Sequence, residues 1–363
     1  MAELKVAPAP RPAVTRMMEY HPPLGEREGL RLDFNENTLQ CSPRVVEALR
    51  NITAAELTMY PRREPLEALV ASHLQLDPAQ VLLTNGVDEA IHIICQTYLD
   101  VDDEILFPVP TYSMYEVYAS GVGARIVKIS AAADFAFPFE RLLAAITERT
   151  KLIFIANPNS PTGTSASRAQ LLEIAERAPQ ATVLVDEAYF HFFGETLIDQ
   201  IGTVPNLIVT RTFSKAYGLA GLRLGMISAS VEIMHWLRRV ISPYSVNSLA
   251  LACLRPALAD EEYLQWYVAE VIAARAQFAA ALTEFGIPHW PSSANFILLK
   301  IGDRHKQFVA AMRAHGVLVR DRSMDAGCAG CVRVTVGTRE QTAQAAPAVK
   351  AALSEIGWRR DAC

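Results

Sequence analysis

Read from the N-terminus, the chain settles into a regular alternation from about residue 66. Short β-rich, mostly apolar runs recur at 81–84, 104–107, 125–129, 152–156, 182–185, 207–210 and 222–227. Between several of them lie amphipathic or Ala/Leu-rich stretches with helical spacing, such as 88–98 and 168–178. This alternation predicts an α/β fold with a largely parallel sheet covered by helices. In such sheets ligands sit beyond the carboxyl ends of the strands. After about residue 250 the pattern changes. A long helical region, 246–285, leads into an α+β tail with strands expected at 294–300, 317–320 and 332–335. The pattern therefore predicts an N-terminal arm over residues 1–35, a large domain over 36–250 and a smaller C-terminal domain over 251–363. The Pro-rich arm is expected to pack on the small domain or on a partner.

Composition narrows the function classes. Half of the 363 residues are apolar, a fifth are charged and the formal net charge is −5. A chain this long buries roughly three quarters of its unfolded surface and needs no disulfide or metal staple. The negative balance argues against nucleic acid as a partner. No run of 18 apolar residues is present, and the first residues lack the apolar stretch of a signal peptide, which points to a cytoplasmic protein. Of six cysteines only Cys328 and Cys331 have metal-like or redox-like spacing. No second Cys or His pair at finger spacing accompanies them, so no metal is expected and reduced thiols are the simpler reading.

Four polar motifs fall at expected strand ends. Lys215 follows the run 207–210 in the segment Thr212-Phe213-Ser214-Lys215. A lysine there can enter a cleft and form an imine with an aldehyde. Arg223 lies eight residues on, across a Gly-containing turn. Ser214, Lys215 and Arg223 could face one phosphate, or form a turn with surface charges. The run 183–185 delivers Asp186, which could pair with a protonated ring nitrogen or cap the next turn. Tyr189 is three residues further. Next, 81–90 reads as strand, Gly turn and helix start around Gly86, Val87 and Asp88, an anion site or an ordinary βα turn. Last, Asn157-Pro158-Asn159-Ser160-Pro161-Thr162-Gly163 fixes a sharp polar loop after 152–156.

Together these pieces resemble the fold-type I aminotransferases, and within them the histidinol-phosphate aminotransferase family. The motifs are LDFNEN at 32–37, MYP at 59–61, NGVDEAI at 85–91, PTYSMYEVYA at 110–119, NPNSPTG at 157–163, VDEAY at 185–189, RTFSKAYGLAGLRLG at 211–225 and VRVTVGTRE at 332–340. They span nearly the whole chain from about Tyr20. The resemblance implies a mostly parallel seven-stranded sheet and pyridoxal 5'-phosphate as cofactor. It makes Lys215 the Schiff-base lysine, pairs Asp186 with the pyridine nitrogen and Tyr189 with the 3-oxygen. It places Gly86, Val87, Asp88, Ser214 and Arg223 around the cofactor phosphate and Tyr112 on the ring face. Tyr60 would reach the phosphate of the other subunit's cofactor, which implies a homodimer with shared sites. Asn35 and Arg333 would bind substrate, Arg333 through the carboxylate of glutamate or 2-oxoglutarate. Tyr20 and Arg320 would hold the phosphate of histidinol phosphate.

Three positions depart from the family pattern. Ser160 stands where the family often has an Asn on the ring oxygen, so either Ser160 or neighbouring Asn159 would make that contact. Met59 replaces a frequent Arg, and Val87 a frequent Ala. The expected activity is transamination between histidinol phosphate and 2-oxoglutarate in histidine biosynthesis. An aromatic amino-acid aminotransferase is the alternative on the same frame, and a pyridoxal-phosphate-dependent decarboxylase a more distant one.

Overall fold

A computed structural model describes residues 8–19 and 28–359. Twelve strands occur among them: β1 Leu30–Arg31, β2 Val81–Thr84, β3 Glu104–Val109, β4 Arg125–Ser130, β5 Thr150–Ala156, β6 Thr182–Asp186, β7 Leu207–Thr212, β8 Gly225–Ala229, β9 Phe296–Lys300, β10 Val317–Leu318, β11 Arg320–Asp321 and β12 Cys331–Thr335. Seven of them form one sheet in the order β2-β8-β7-β6-β5-β3-β4. The pairs β3–β4, β3–β5, β5–β6 and β6–β7 are parallel. β8 runs antiparallel to both β7 and β2.

The central strands read as continuous apolar runs because both faces are covered. Ile153, Ile155, Val183, Val185 and Val209 pack on one side. Leu152, Phe154, Leu184 and Ile208 alternate onto the other. A four-residue segment such as Val183-Leu184-Val185-Asp186 thus loses its whole apolar surface, and its last residue alone is polar. Helices close both faces. The helix Arg168–Arg177 starts at a capping box in which Ser167 accepts from Gln170 N and the Gln170 side chain returns to Ser167.

A second core lies around the three-stranded antiparallel sheet β11-β12-β9 and the helices Glu261–Glu284, His305–Ala314 and Arg339–Glu355. The expected helix over 246–285 is two helices, Ser248–Ala259 and Glu261–Glu284, parted at Asp260, whose φ of −102° and ψ of 58° leave the helical region. The expected strand over 317–320 is also divided. β10 pairs in parallel with β1, whereas β11 pairs with β12. The N-terminal segment touches both parts of the molecule. Its turn of helix Pro12–Thr15 rests near Met114–Val122, where the Arg11 guanidinium donates to the Gly121 carbonyl. β1 then joins the C-terminal part.

Candidate active site

The parallel strands all end at one edge, and the polar groups gather there. Asp186 closes β6 and is buried. Its Oδ2 accepts from the Tyr115 hydroxyl at 2.9 Å. Its Oδ1 accepts from Thr210 Oγ1 at 3.2 Å and from the Ala188 N–H at 3.2 Å. Burial pushes this carboxyl up to about 6, against the pull of those three donors. A carboxylate held in so dry a place is at its most favourable when a cation faces it.

Lys215 follows β7. Its Nζ donates to the Phe34 carbonyl at 3.1 Å and stands 6.0 Å from the centre of the Tyr189 ring. Phe34 and Asn35 come from the motif 32–37, so the chain before the large sheet helps wall the site. Asn35 adopts φ 54° and is fully buried. Its Nδ2 donates to the Tyr189 hydroxyl at 2.9 Å, and its Oδ1 accepts from Thr335 Oγ1 at 3.0 Å. Burial works against ionising Tyr189. The charges of Lys215 and Arg333, with hydrogen bonds from Asn35 and Ser160, outweigh it and bring the phenol below its ordinary value.

The helix Gly86–Tyr98 begins at the same edge. Gly86 has φ +73°, and a Cβ there would meet Arg223 Nη2 at 2.7 Å. The positive φ favours glycine here, and a Cβ would also displace the Arg223 guanidinium from its place beside the helix start. Arg223, itself at φ 54°, donates to Asp88 Oδ2 at 3.0 Å, while the Tyr112 hydroxyl donates to Asp88 Oδ1 at 2.7 Å. That left-handed Arg223 is why β8 begins at Gly225 rather than at residue 222. One cavity of 480 Å³ collects these groups: Val87, Tyr112, Asp186, Ser214, Lys215 and Arg223 are among its lining residues. It is large enough for a substituted pyridine with its phosphate, a buried acid stands at one wall and a glycine-cleared helix N-terminus at another. These features fit pyridoxal phosphate.

Not every expected residue joins them. Ser160 lines the cavity, but Asn159 does not. The Asn159 amide donates to the Pro110 carbonyl and Thr162 Oγ1, both at 2.9 Å, and its carbonyl accepts from Thr111. Those bonds pin two loops together and leave Asn159 no free donor for the cavity. Arg333 is buried behind Ser160, donating to its Oγ at 3.1 Å and to the Asp33 carbonyl at 2.8 Å. Burial and the nearby Arg322 bring Arg333 down to about 10. Arg320, opposite Arg333 in the β11–β12 register, stands 5.1 Å from the Phe34 ring centre. Tyr60 is 78% exposed, stacks on Tyr244 and lies outside the cavity lining. Tyr20 lies outside the described residues.

Several functional contacts were not legible beforehand. Tyr115 is wholly buried between Phe107 and Phe154 and reads in sequence as a helical core residue. Thr210 reads as a strand residue. Glu187 and Arg211 form a buried pair at 2.9 Å behind Asp186, with Thr196 also bonded to both. Both residues lie inside quoted motifs, VDEAY and RTFSKAYGLAGLRLG, but nothing in those motifs pairs them; the parallel β6–β7 register brings them together.

A buried acid, a strand-end lysine and a helix N-terminus around one cavity, at the carboxyl edge of this sheet, define a pyridoxal-phosphate-dependent transferase of fold type I. Residues 27–349 match the family described as aminotransferase class I and II, and the chain belongs to that family. Among curated relatives, a histidinol-phosphate aminotransferase of Symbiobacterium thermophilum is 36% identical over 95% of this chain and 99% of its own length. One from Caldanaerobacter subterraneus subsp. tengcongensis is 35% identical, over 85% of this chain and 89% of the relative. Among solved structures, the histidinol-phosphate aminotransferase of Sinorhizobium meliloti in complex with pyridoxal-5'-phosphate superposes with a TM-score of 0.86. It is 23% identical and covers 97% of this chain and 99% of that one. The protein is a pyridoxal-phosphate-dependent aminotransferase. Among the described residues no helix is long and apolar enough to cross a membrane.

Proposed function

We propose that this enzyme transaminates between histidinol phosphate and 2-oxoglutarate, as a step of histidine biosynthesis. The observation that carries the reading is the pairing of Arg320 with Arg333 on adjacent strands, beside the Phe34 and Ser160 wall of the cavity. Neither guanidinium lines the cavity itself, but two of them just behind that wall suit a ligand whose far end is an anion. The relatives' names point the same way.

When bound, pyridoxal phosphate supplies an aldehyde carbon and an electron-withdrawing pyridinium ring. Lys215 holds the cofactor, and its Nζ takes and returns the substrate proton. The Phe34 carbonyl orients that amine. Asp186 would keep the ring nitrogen protonated. Tyr189, with Asn35 and Ser160 at its hydroxyl, would donate to the ring oxygen. The Gly86-Val87-Asp88 backbone, Ser214 and Arg223 hold the phosphate, with Asp88 steering both Arg223 and Tyr112. Tyr112, which lines the cavity, would cover a ring face. Arg333 takes the carboxylate of glutamate or 2-oxoglutarate, Arg320 and Tyr20 the substrate phosphate. Asn159 is left to brace the loop. Residues 36–250 act as the cofactor-binding domain and 251–363 as the smaller domain that brings Arg320 and Arg333. The enzyme works as a homodimer with shared sites, in the cytoplasm, on small-molecule substrates.

A half-reaction screen tests this. Purified yellow enzyme is mixed with histidinol phosphate and, separately, with each aromatic amino acid, and loss of the cofactor's visible absorbance ranks the donors. Histidinol phosphate is expected to react fastest. A faster aromatic amino acid would move the assignment to an aromatic aminotransferase.

A further inference from the structure

The loop after β11 carries a third arginine that the roles above do not use. The antiparallel ladder β11–β12 continues one step beyond its named residues, because the Arg322 N–H donates to the Cys331 carbonyl at 3.0 Å. Strand alternation then puts Arg320 and Arg322 on one face, and the register puts Arg333 on that same face. Arg322 Nη2 lies 2.5 Å from Asp325 Oδ2, with the Arg322 side chain 13% exposed. Arg322 Nε and Arg333 Nε are both buried with no hydrogen-bond partner among the described residues. Arginine is rarely left this way: a desolvated N–H without an acceptor costs on the order of 1–3 kcal/mol. Asp325 feels all three guanidiniums, and burial nevertheless raises its carboxyl.

We propose that Arg322 is a specificity-determining residue, the third cation, with Arg320 and Arg333, of an anion subsite on this face of the β11–β12 ladder in which Asp325 holds the place of the ligand's charge. The inference rests on the reading that this subsite takes the phosphate monoester of the substrate. A phosphate monoester carries close to two negative charges near neutral pH, a carboxylate one. A fixed cation near the site attracts each in proportion to that charge. Arg322 thus favours the phosphate substrate over the amino acid without touching the reacting carbon. Its effect has a numerical signature: on a logarithmic scale, its loss weakens the dianion about twice as much as the monoanion.

The test compares wild type, Arg322→Gln, Arg322→Lys, Asp325→Asn and the double variant Arg322→Gln/Asp325→Asn as holoenzymes. One measurement is kcat/KM for histidinol phosphate and for glutamate. The other is the rise in melting temperature of the holoenzyme in inorganic phosphate. Arg322→Gln is expected to lose at least tenfold on histidinol phosphate, mainly through KM, and about threefold on glutamate, with a smaller phosphate-induced rise. Arg322→Lys restores most of both. Asp325→Asn, which removes the competing carboxylate, increases the phosphate response; the double variant, which leaves no carboxylate unpaired where Arg322→Gln alone does not fold, loses that increase. Equal losses on the two substrates, or an Asp325→Asn protein with an unchanged or weaker phosphate response, overturn the proposal. A wild type that ignores histidinol phosphate sinks the substrate assignment, and the melting data then still decide whether Arg322 serves an anion.

Discussion

Asp186 is where stability and chemistry pull apart. Its carboxyl sits at about 6, above the ordinary 3.8, chiefly because of burial. A group whose pKa is higher folded than unfolded lowers stability as pH rises between the two values. The cofactor-free protein therefore carries a penalty of about 3 kcal/mol above pH 6. Asp186→Asn is expected to melt higher than wild type at about pH 8 in the cofactor-free state, with the gain fading as pH falls from about 6 toward about 4. The same variant still binds cofactor but should lose at least about a hundredfold in kcat, since the charge that the ring needs is gone. Melting curves at two pH values and steady-state rates check both halves, and wild-type turnover would falsify the role. Tyr115→Phe removes one of the donors that hold this carboxylate down. It should cost about 1 kcal/mol of stability and shift the pH range of the cofactor-free penalty upward. Lys215 has the most direct test. Borohydride reduction followed by peptide mapping should place the cofactor on the peptide containing Lys215, and Lys215→Ala should fold but not turn over.

At the level of elements, the contact between β8 and the helix Gly86–Tyr98 sets the end of the cavity proposed for the cofactor phosphate. A Cβ on Gly225 would meet Gly86 C and Val87 N at 2.7 Å, both backbone atoms that cannot swing aside. Gly225→Ala should push the first helical turn off the strand and weaken cofactor affinity by tenfold or more, read by equilibrium dialysis. Gly121→Ala, in open space within the helix Met114–Val122, is the control and should be neutral or slightly stabilising. Neither outcome could be foreseen from the sequence, where all these glycines look alike. The strands of the large sheet were legible because burial on both faces leaves unbroken apolar runs such as 152–156 and 183–185. Their edges were not. Left-handed Arg223 delays β8 by three residues, and Asp260 divides a stretch whose composition is helical throughout. Much of the site showed in the motifs, which bring Lys215, Asp186, Tyr189 and Arg223 to one cavity edge. What escaped were contacts between distant segments: Asn35 with Thr335, Tyr115 with Asp186, Arg211 with Glu187. A hydroxyl or guanidinium shows its partner only once tertiary packing has chosen it.

At the scale of the whole molecule, what matters is how many chains build one site. Tyr60 does not reach the cavity of its own chain. It sits 78% exposed, stacked on Tyr244 at 4.3 Å, with Leu57 and Met59 also largely exposed on the same segment. Exposed large apolar side chains gathered like this suit a surface that a second copy would cover. If a second copy covers it with twofold symmetry, each chain lends Tyr60 to the other's phosphate site. Complementation separates this from a site built within one chain. Tyr60→Phe and Lys215→Ala proteins are unfolded together and refolded as a mixture. With shared sites, a hybrid dimer has one site carrying both substitutions and one carrying neither. Half of the dimers are hybrids, so about a quarter of all sites are intact and activity should rise toward a quarter of wild type. With unshared sites, each intact Lys215 in a hybrid still works beside the Tyr60→Phe change of its own chain, and mixing restores nothing. Sedimentation of the wild type supplies the complementary reading: a fully active monomer would exclude shared sites whatever the mixing experiment gave.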